Sequence, residues 1–261
     1  MEGHSEEIKS MKKSNKLKLN KLPSILYKYR DFNIENHRLI LNGEIFISGY
    51  SNLNDPFEGN LPFNQSSIKN HDKLCKELYC LYLRSINDKF DTEINNETNY
   101  IDFIKNYISK NLGVFCLSTK NDNILMWTHY ANNQKGFVIG FDTNILIEKL
   151  GTTFDFVKYV NRINNDEVSK MKTITEIPFI KFKQWSYETE FRFVYEDKNK
   201  VNKPFSKSLI KSIKQIIFGL NMSEIDKNFI KHYCINNLPN IELYQVHLNK
   251  DKIKLDIIEI K

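Results

Sequence analysis

Glu188-Thr189-Glu190-Phe191-Arg192 is the stretch whose residue types and spacing best suit charge chemistry. On an extended strand, alternate side chains share a face, and residues two apart are about 7 Å apart at Cα, from a rise of ~3.3 Å per residue. Two carboxylates held that way raise one another's pKa, and an adjacent guanidinium lowers it. Such a pair can hold a ribose hydroxyl and stabilise an oxocarbenium ion. The plainer alternative is a solvated strand face with a local ion pair. A second cluster, Trp127, His129 and Tyr130, falls within one helical turn. The two rings could stack on a base or wall a pocket, and His129 could serve as a general base. Equally, such aromatics serve as core.

Other single candidates follow from their neighbours. Arg30 ends a strand and carries the rigid donor fork that clamps phosphates. Ser48 ends the next strand. Asn54, Asp55 and Glu58 flank Pro56 and could line a pocket, although Asn-Asp-Pro is also ordinary turn chemistry. No P-loop, GxGxxG, HExxH or GxSxG pattern occurs. Cys75, Cys80, Cys116 and Cys234 form no CxxC pair, so no metal is expected and the thiols are read as reduced.

These residues need elements to position them. The alternation predicts strands over 24–30 and 44–48, a helix from Ile34 to Leu41 closed by Asn42-Gly43, and a helix from Ile124 capped within Asn121-Asp122-Asn123 and ended by Gly136. Strands are expected at 114–118, 137–141, 154–160, 187–195, 213–218, 241–247 and 253–260. Ser223 opens a further helix. Glu188, Glu190 and Arg192 are expected on one face of the 187–195 strand. The mixture predicts an α+β fold with a mixed, mainly antiparallel sheet. A helical insertion is read at 63–112, a basic flexible tail at 1–22, and one domain over 23–261.

The chain has 261 residues, 41% hydrophobic and 13% aromatic, which excludes wholesale disorder. Its net charge is +6; residues 1–21 carry six lysines and three glutamates, half of that surplus. No apolar run approaches the roughly 18–20 residues of a membrane span, and no secretion signal stands at the start. A cytoplasmic protein without membrane attachment is expected.

Several strings, taken together, resemble the bacterial domain-of-unknown-function 2971 family. They are Tyr27-Lys28-Tyr29-Arg30, Asn54-Asp55-Pro56-Phe57-Glu58, Cys116-Leu117-Ser118, Leu125 through Ala131 with Gly136, and Trp185 through Arg192. The resemblance covers roughly residues 24–195. A second resemblance is architectural. Arg30, Ser48 and Glu188-x-Glu190 follow the order of ADP-ribosyltransferases of the Arg–Ser–Glu type. Ser48-Gly49-Tyr50-Ser51 replaces that family's Ser-Thr-Ser, and the Trp127–Tyr130 helix is foreign to it. This second resemblance implies NAD as substrate, Arg30 on the pyrophosphate, Glu190 on the ribose, Glu188 orienting a protein or nucleic-acid acceptor, and a role in bacterial defence or as a toxin. The alternatives are a nucleic-acid-binding or metal-dependent nucleolytic protein, and a non-catalytic scaffold.

Overall fold

The computed structural model describes residues 22–59, 105–162, 171, 173–206, 209–238 and 240–260. The basic tail therefore lies outside the described residues, as does the insertion expected at 63–112 except for its end, where 105–111 are helical. The strands and α-helices run β1 Ile25–Arg30, α1 Ile34–Asn42, β2 Glu44–Gly49, β3 Leu112–Ser118, α2 Ile124–Tyr130, β4 Phe137–Asp142, α3 Thr143–Leu150, β5 Thr153–Phe156 and β6 Lys158–Val160. They continue with β7 Ile180–Phe182, β8 Glu190–Glu196, β9 Lys203–Ser206, β10 Ile213–Phe218, α4 Glu224–Asn237, β11 Glu242–Asn249 and β12 Lys254–Glu259. The fold is α+β with mostly antiparallel pairing. Among the described residues, no helix is long and apolar enough to cross a membrane.

The chain gathers into two compact units. The first draws on the described parts of Met1–Leu41, Thr119–Gly151 and Leu209–Lys261. Its strands lie in the order β12-β11-β10-β4-β1. β4 runs antiparallel to β1 and to β10, while β10 and β11 are parallel and joined through α4. A parallel pair cannot be closed by a tight turn, so a crossover helix is required. Phe137, Val138, Ile139 and Phe141 are all fully buried, where alternation was expected. Continuous burial of this kind marks a strand covered on both faces.

Asn123 caps α2 by accepting from Leu125 and Met126 amides at 2.9 and 3.2 Å. The helix ends earlier than expected. Asn132, Asn133 and Gln134 take φ of 46°, 52° and 67°, a left-handed run that stops the helix after Tyr130. Gly136 serves a different need: a Cβ there would lie 2.1 Å from the Arg30 carbonyl oxygen, so only glycine admits that backbone approach.

The second unit draws on Asn42–Ser118 and Thr152–Ser208, again for the described residues. Its strands lie in the order β9-β2-β3-β8-β5, all antiparallel. Register divides this sheet into two chemically distinct faces. Phe115, Phe193 and Phe154 line up across β3, β8 and β5, as do Leu117, Phe191 and Phe156. The Phe154, Phe156, Phe191 and Phe193 rings pack with centroids 5.2 to 5.7 Å apart. The opposite face carries Cys116, Arg192 and Asp155 in one row and Ser118 with Glu190 in the next.

Two expected strands are broken. The 154–160 stretch divides at Val157, whose amide bonds the Glu190 carbonyl at 3.0 Å; β5 pairs with β8, and β6 pairs parallel with β7. The 187–195 stretch begins as a 3₁₀ helix, Lys183–Glu188, and turns at Thr189 with φ 44° and ψ 51° before β8 starts. Glu190 and Arg192 share a strand face as expected. Glu188 does not belong to that strand, because the left-handed Thr189 intervenes.

Candidate active site

β8 carries Glu190 and Arg192 into the polar side of the second unit. The 3₁₀ helix brings Glu188, β7 brings Lys181, and the turn after Asp55 brings Glu58. That turn forms because the Asp55 carboxylate accepts from the Phe57 amide at 2.9 Å, while the Glu58 amide donates to the Asp55 carbonyl at 3.1 Å. The kink at Thr189 is held by Ser118, whose hydroxyl donates to the Glu188 carbonyl at 2.8 Å and lies 3.1 Å from the Thr189 hydroxyl.

The five charged side chains bond to one another. Lys181 Nζ donates to Glu188 Oε2 at 2.5 Å and to Glu190 Oε1 at 2.8 Å, and lies 3.9 Å from Glu58 Oε2. Arg192 donates through Nε to Glu190 and through Nη1 to Glu58, with Nη1 also 2.7 Å from the Pro178 carbonyl. The Lys181 ammonium sits 4.9 Å from the centre of the Trp185 ring. Tyr159 accepts from the Glu190 amide at 2.9 Å. No member of the five is more than 8% exposed.

Three carboxyls face two cations, so charge balance requires one carboxyl to be neutral. Burial, then its hydrogen bond to Glu190 and the charge of Glu190, push Glu188 from 4.5 up to about 8, against the pull of Lys181. Burial also acts on Glu190, but Arg192, the Glu188 hydrogen bond and Lys181 hold it well below the usual carboxylate range. Burial raises Glu58, opposed by Arg192 and Lys181. For Lys181, burial works against the charge, yet Glu190 and Glu58 keep it more firmly protonated than usual. Glu188 is thus the proton holder and Glu190 the fixed anion.

Of the residues singled out in the sequence, Glu58, Glu188, Glu190 and Arg192 meet in this cluster. Asp55 is buried in the adjoining turn and Asn54 is exposed beside it. Ser48 lies on β2 opposite Val114. Arg30, Trp127, His129 and Tyr130 belong to the first unit. Arg30 ends β1 opposite Phe137 and is half-buried. Trp127 is fully buried; its indole N–H donates to the Asn121 carbonyl at 2.7 Å and its ring meets Tyr29 edge-on at 5.3 Å. That contact makes the Trp127 ring part of the core. His129 is exposed, 6.4 Å from the half-buried Tyr130 ring. Lys181 was missed. Its one signal is a lysine set between Ile180 and Phe182 in an otherwise apolar run.

Residues 126–193 match the family model described as Protein of unknown function (DUF2971). The matched stretch runs from Met126 in α2 to Phe193 in β8 and includes Lys181, Glu188, Glu190 and Arg192. The resemblance carried by the Trp127–Tyr130 and Trp185–Arg192 strings is therefore borne out over these residues. Glu58 lies outside the DUF2971 match. No curated protein and no solved structure matches the chain.

Proposed function

We propose that the chain is an NAD-using enzyme, an ADP-ribosyltransferase or NAD hydrolase, with Glu188 and Glu190 as its acid–base and electrostatic groups. The observation that supports this reading is the unequal setting of two adjacent carboxyls: both accept from Lys181, at 2.5 and 2.8 Å, but only Glu190 also accepts from Arg192, so burial pushes Glu188 up while Glu190 is held ionised. Environments that force neighbouring carboxyls apart in this way assign one to proton transfer and the other to charge stabilisation. In the reaction, the bond between ribose C1′ and the nicotinamide nitrogen breaks, and its electron pair leaves with nicotinamide. The fixed negative charge of Glu190 suits the cationic ribose that develops. A water or acceptor hydroxyl then bonds to C1′, and its proton passes to Glu188 in its ionised form, which a carboxyl poised at about 8 regains by releasing its own proton to water. A role in bacterial defence or as a toxin accords with such an activity.

The test is nicotinamide release from NAD by the full chain, alone and with protein or nucleic-acid acceptors. Wild type should release nicotinamide, and Glu190→Gln should lower the rate at least a hundredfold. Absence of release and of transfer under all these conditions sinks the proposal.

A second reading is favoured by the way the five side chains bond to one another. On it the cluster is a buried ionic clasp that fixes β7, the 3₁₀ helix and β8 in register. Glu190→Gln would then change stability and leave nothing catalytic to lose.

A further inference from the structure

Seven buried side-chain polar atoms among the described residues lack a hydrogen-bond partner, and four of them belong to residues linked by a direct bond, a shared turn or close packing. They are Tyr50 OH, Asp55 Oδ2, Glu58 Oε2 and Arg192 Nη2. Arg192 is bonded to Glu58 through Nη1, and the Tyr50 phenol feels the charges of both. Asp55 heads the turn that delivers Glu58. At the end of that turn, Gly59 is so close to Tyr50 that a Cβ would lie 2.4 Å from the ring. Buried polar atoms are nearly always paired, because leaving one unpaired costs about 1–3 kcal/mol. Four on such closely linked residues call for a common partner.

We infer that Tyr50, Asp55, Glu58 and Arg192 form a subsite for an uncharged group that both donates and accepts hydrogen bonds, such as a vicinal diol or a primary carboxamide. The donor and acceptor count sets this class. Arg192 Nη2 and the Tyr50 hydroxyl offer hydrogens, and burial keeps that phenol protonated. Asp55 Oδ2 and Glu58 Oε2 offer lone pairs. A diol or carboxamide supplies two hydrogens to the carboxylates and takes hydrogens from the other two. An anion would face Asp55 and Glu58, and a cation would face Arg192 and Lys181, so both charged classes are disfavoured. The inference depends on the enzymatic reading only for the ligand's identity, since NAD carries both diols and a carboxamide.

The experiment is a titration of the full chain with ribose, nicotinamide and inorganic phosphate, read by calorimetry and by NMR. Ribose or nicotinamide should bind and phosphate should not. Tyr50→Phe removes a hydroxyl that has no protein partner, so it should fold with unchanged or higher stability yet bind the probe about tenfold more weakly, the loss of roughly one hydrogen bond. Overturning results are that neither neutral probe binds, that phosphate binds better than both, or that Tyr50→Phe binds as wild type does; any of these makes the subsite a place for internal water only. Probe binding that responds to Tyr50→Phe without NAD cleavage keeps this inference and removes the enzymatic reading. NAD cleavage with a KM unaltered by Tyr50→Phe does the reverse.

Discussion

Lys181 reaches across seven residues to donate to Glu188 at 2.5 Å. The same ammonium bonds Glu190 at 2.8 Å, so one cation ties the last residue of the 3₁₀ helix to the first residue of β8. Removing one partner of a buried ion pair leaves an uncompensated charge, at a cost of about 3–5 kcal/mol. Lys181→Met should therefore lower the unfolding free energy, read from urea denaturation, by an amount of that order. Adding Glu190→Gln restores charge balance, and a double-mutant cycle should show a favourable coupling of about 1–3 kcal/mol. Additive losses would mean that the two groups do not share a charge balance.

The raised pKa of Glu188 has a defined consequence for stability against pH. Between 4.5 and about 8 the folded protein keeps a proton that the unfolded chain gives up. Stability from this group therefore falls as pH rises through that window and is fully lost above the folded pKa. Glu190 acts oppositely: its contribution is present above the ordinary carboxylate pKa and fades as pH falls through its depressed value. Glu188→Gln should flatten the decline between pH 5 and 8 and be more stable than wild type at pH 9. Urea denaturation across that range measures it; parallel curves for the two proteins would refute the assignment.

Gln134 has φ of 67° and a buried side-chain oxygen without a partner. Both features cost free energy, by about 1 kcal/mol or more each. Gln134→Gly removes both and gives some of the gain back through the flexibility of the unfolded chain. A net stabilisation of about 1 kcal/mol is expected in thermal or chemical denaturation. Destabilisation would show that Gln134 contributes through contacts other than these.

Gly136→Ala should be costly. The new Cβ would meet the carbonyl oxygen of Arg30 at 2.1 Å and the carbon at 3.0 Å, and neither is a flexible side-chain end. Overpacking against backbone costs about 1–3 kcal/mol, occasionally more. Chemical denaturation with the midpoint unchanged from wild type would show that β1 can move aside.

The legible parts of this chain are those where local chemistry and tertiary context agree. Asn123 and Ser223 cap helices as their side chains suggest, and Glu190 and Arg192 share a face because β8 is a regular strand. Thr189 misleads, because a β-branched residue in an apolar-alternating stretch favours extended backbone, and here Ser118, distant in sequence, stabilises the left-handed turn. Lys181 was invisible as a site residue for a related reason. A lysine between two apolar neighbours reads as the solvent side of a strand, and only the carboxyl groups of Glu58, Glu188 and Glu190, brought in from other segments, make its burial tolerable. The helix α3 carried its signals in plain view, with Asp142 accepting from the Ile145 amide and Gly151 left-handed at its end, but it spans only eight residues. Trp127 and Tyr130 fall within one helical turn whether their rings wall a pocket or fill a core, so that spacing alone does not separate the two.

The balanced cluster also constrains how this protein can change over generations. Each substitution that removes a charge from Glu58, Lys181, Glu190 or Arg192 crosses a deficit of about 3–5 kcal/mol, comparable to the whole stability of a marginal domain. A compensating pair, one acid and one base lost together, avoids that deficit. Descendants of this sequence therefore have no gradual path out of the arrangement: they keep the set intact, or they lose its members in matched twos.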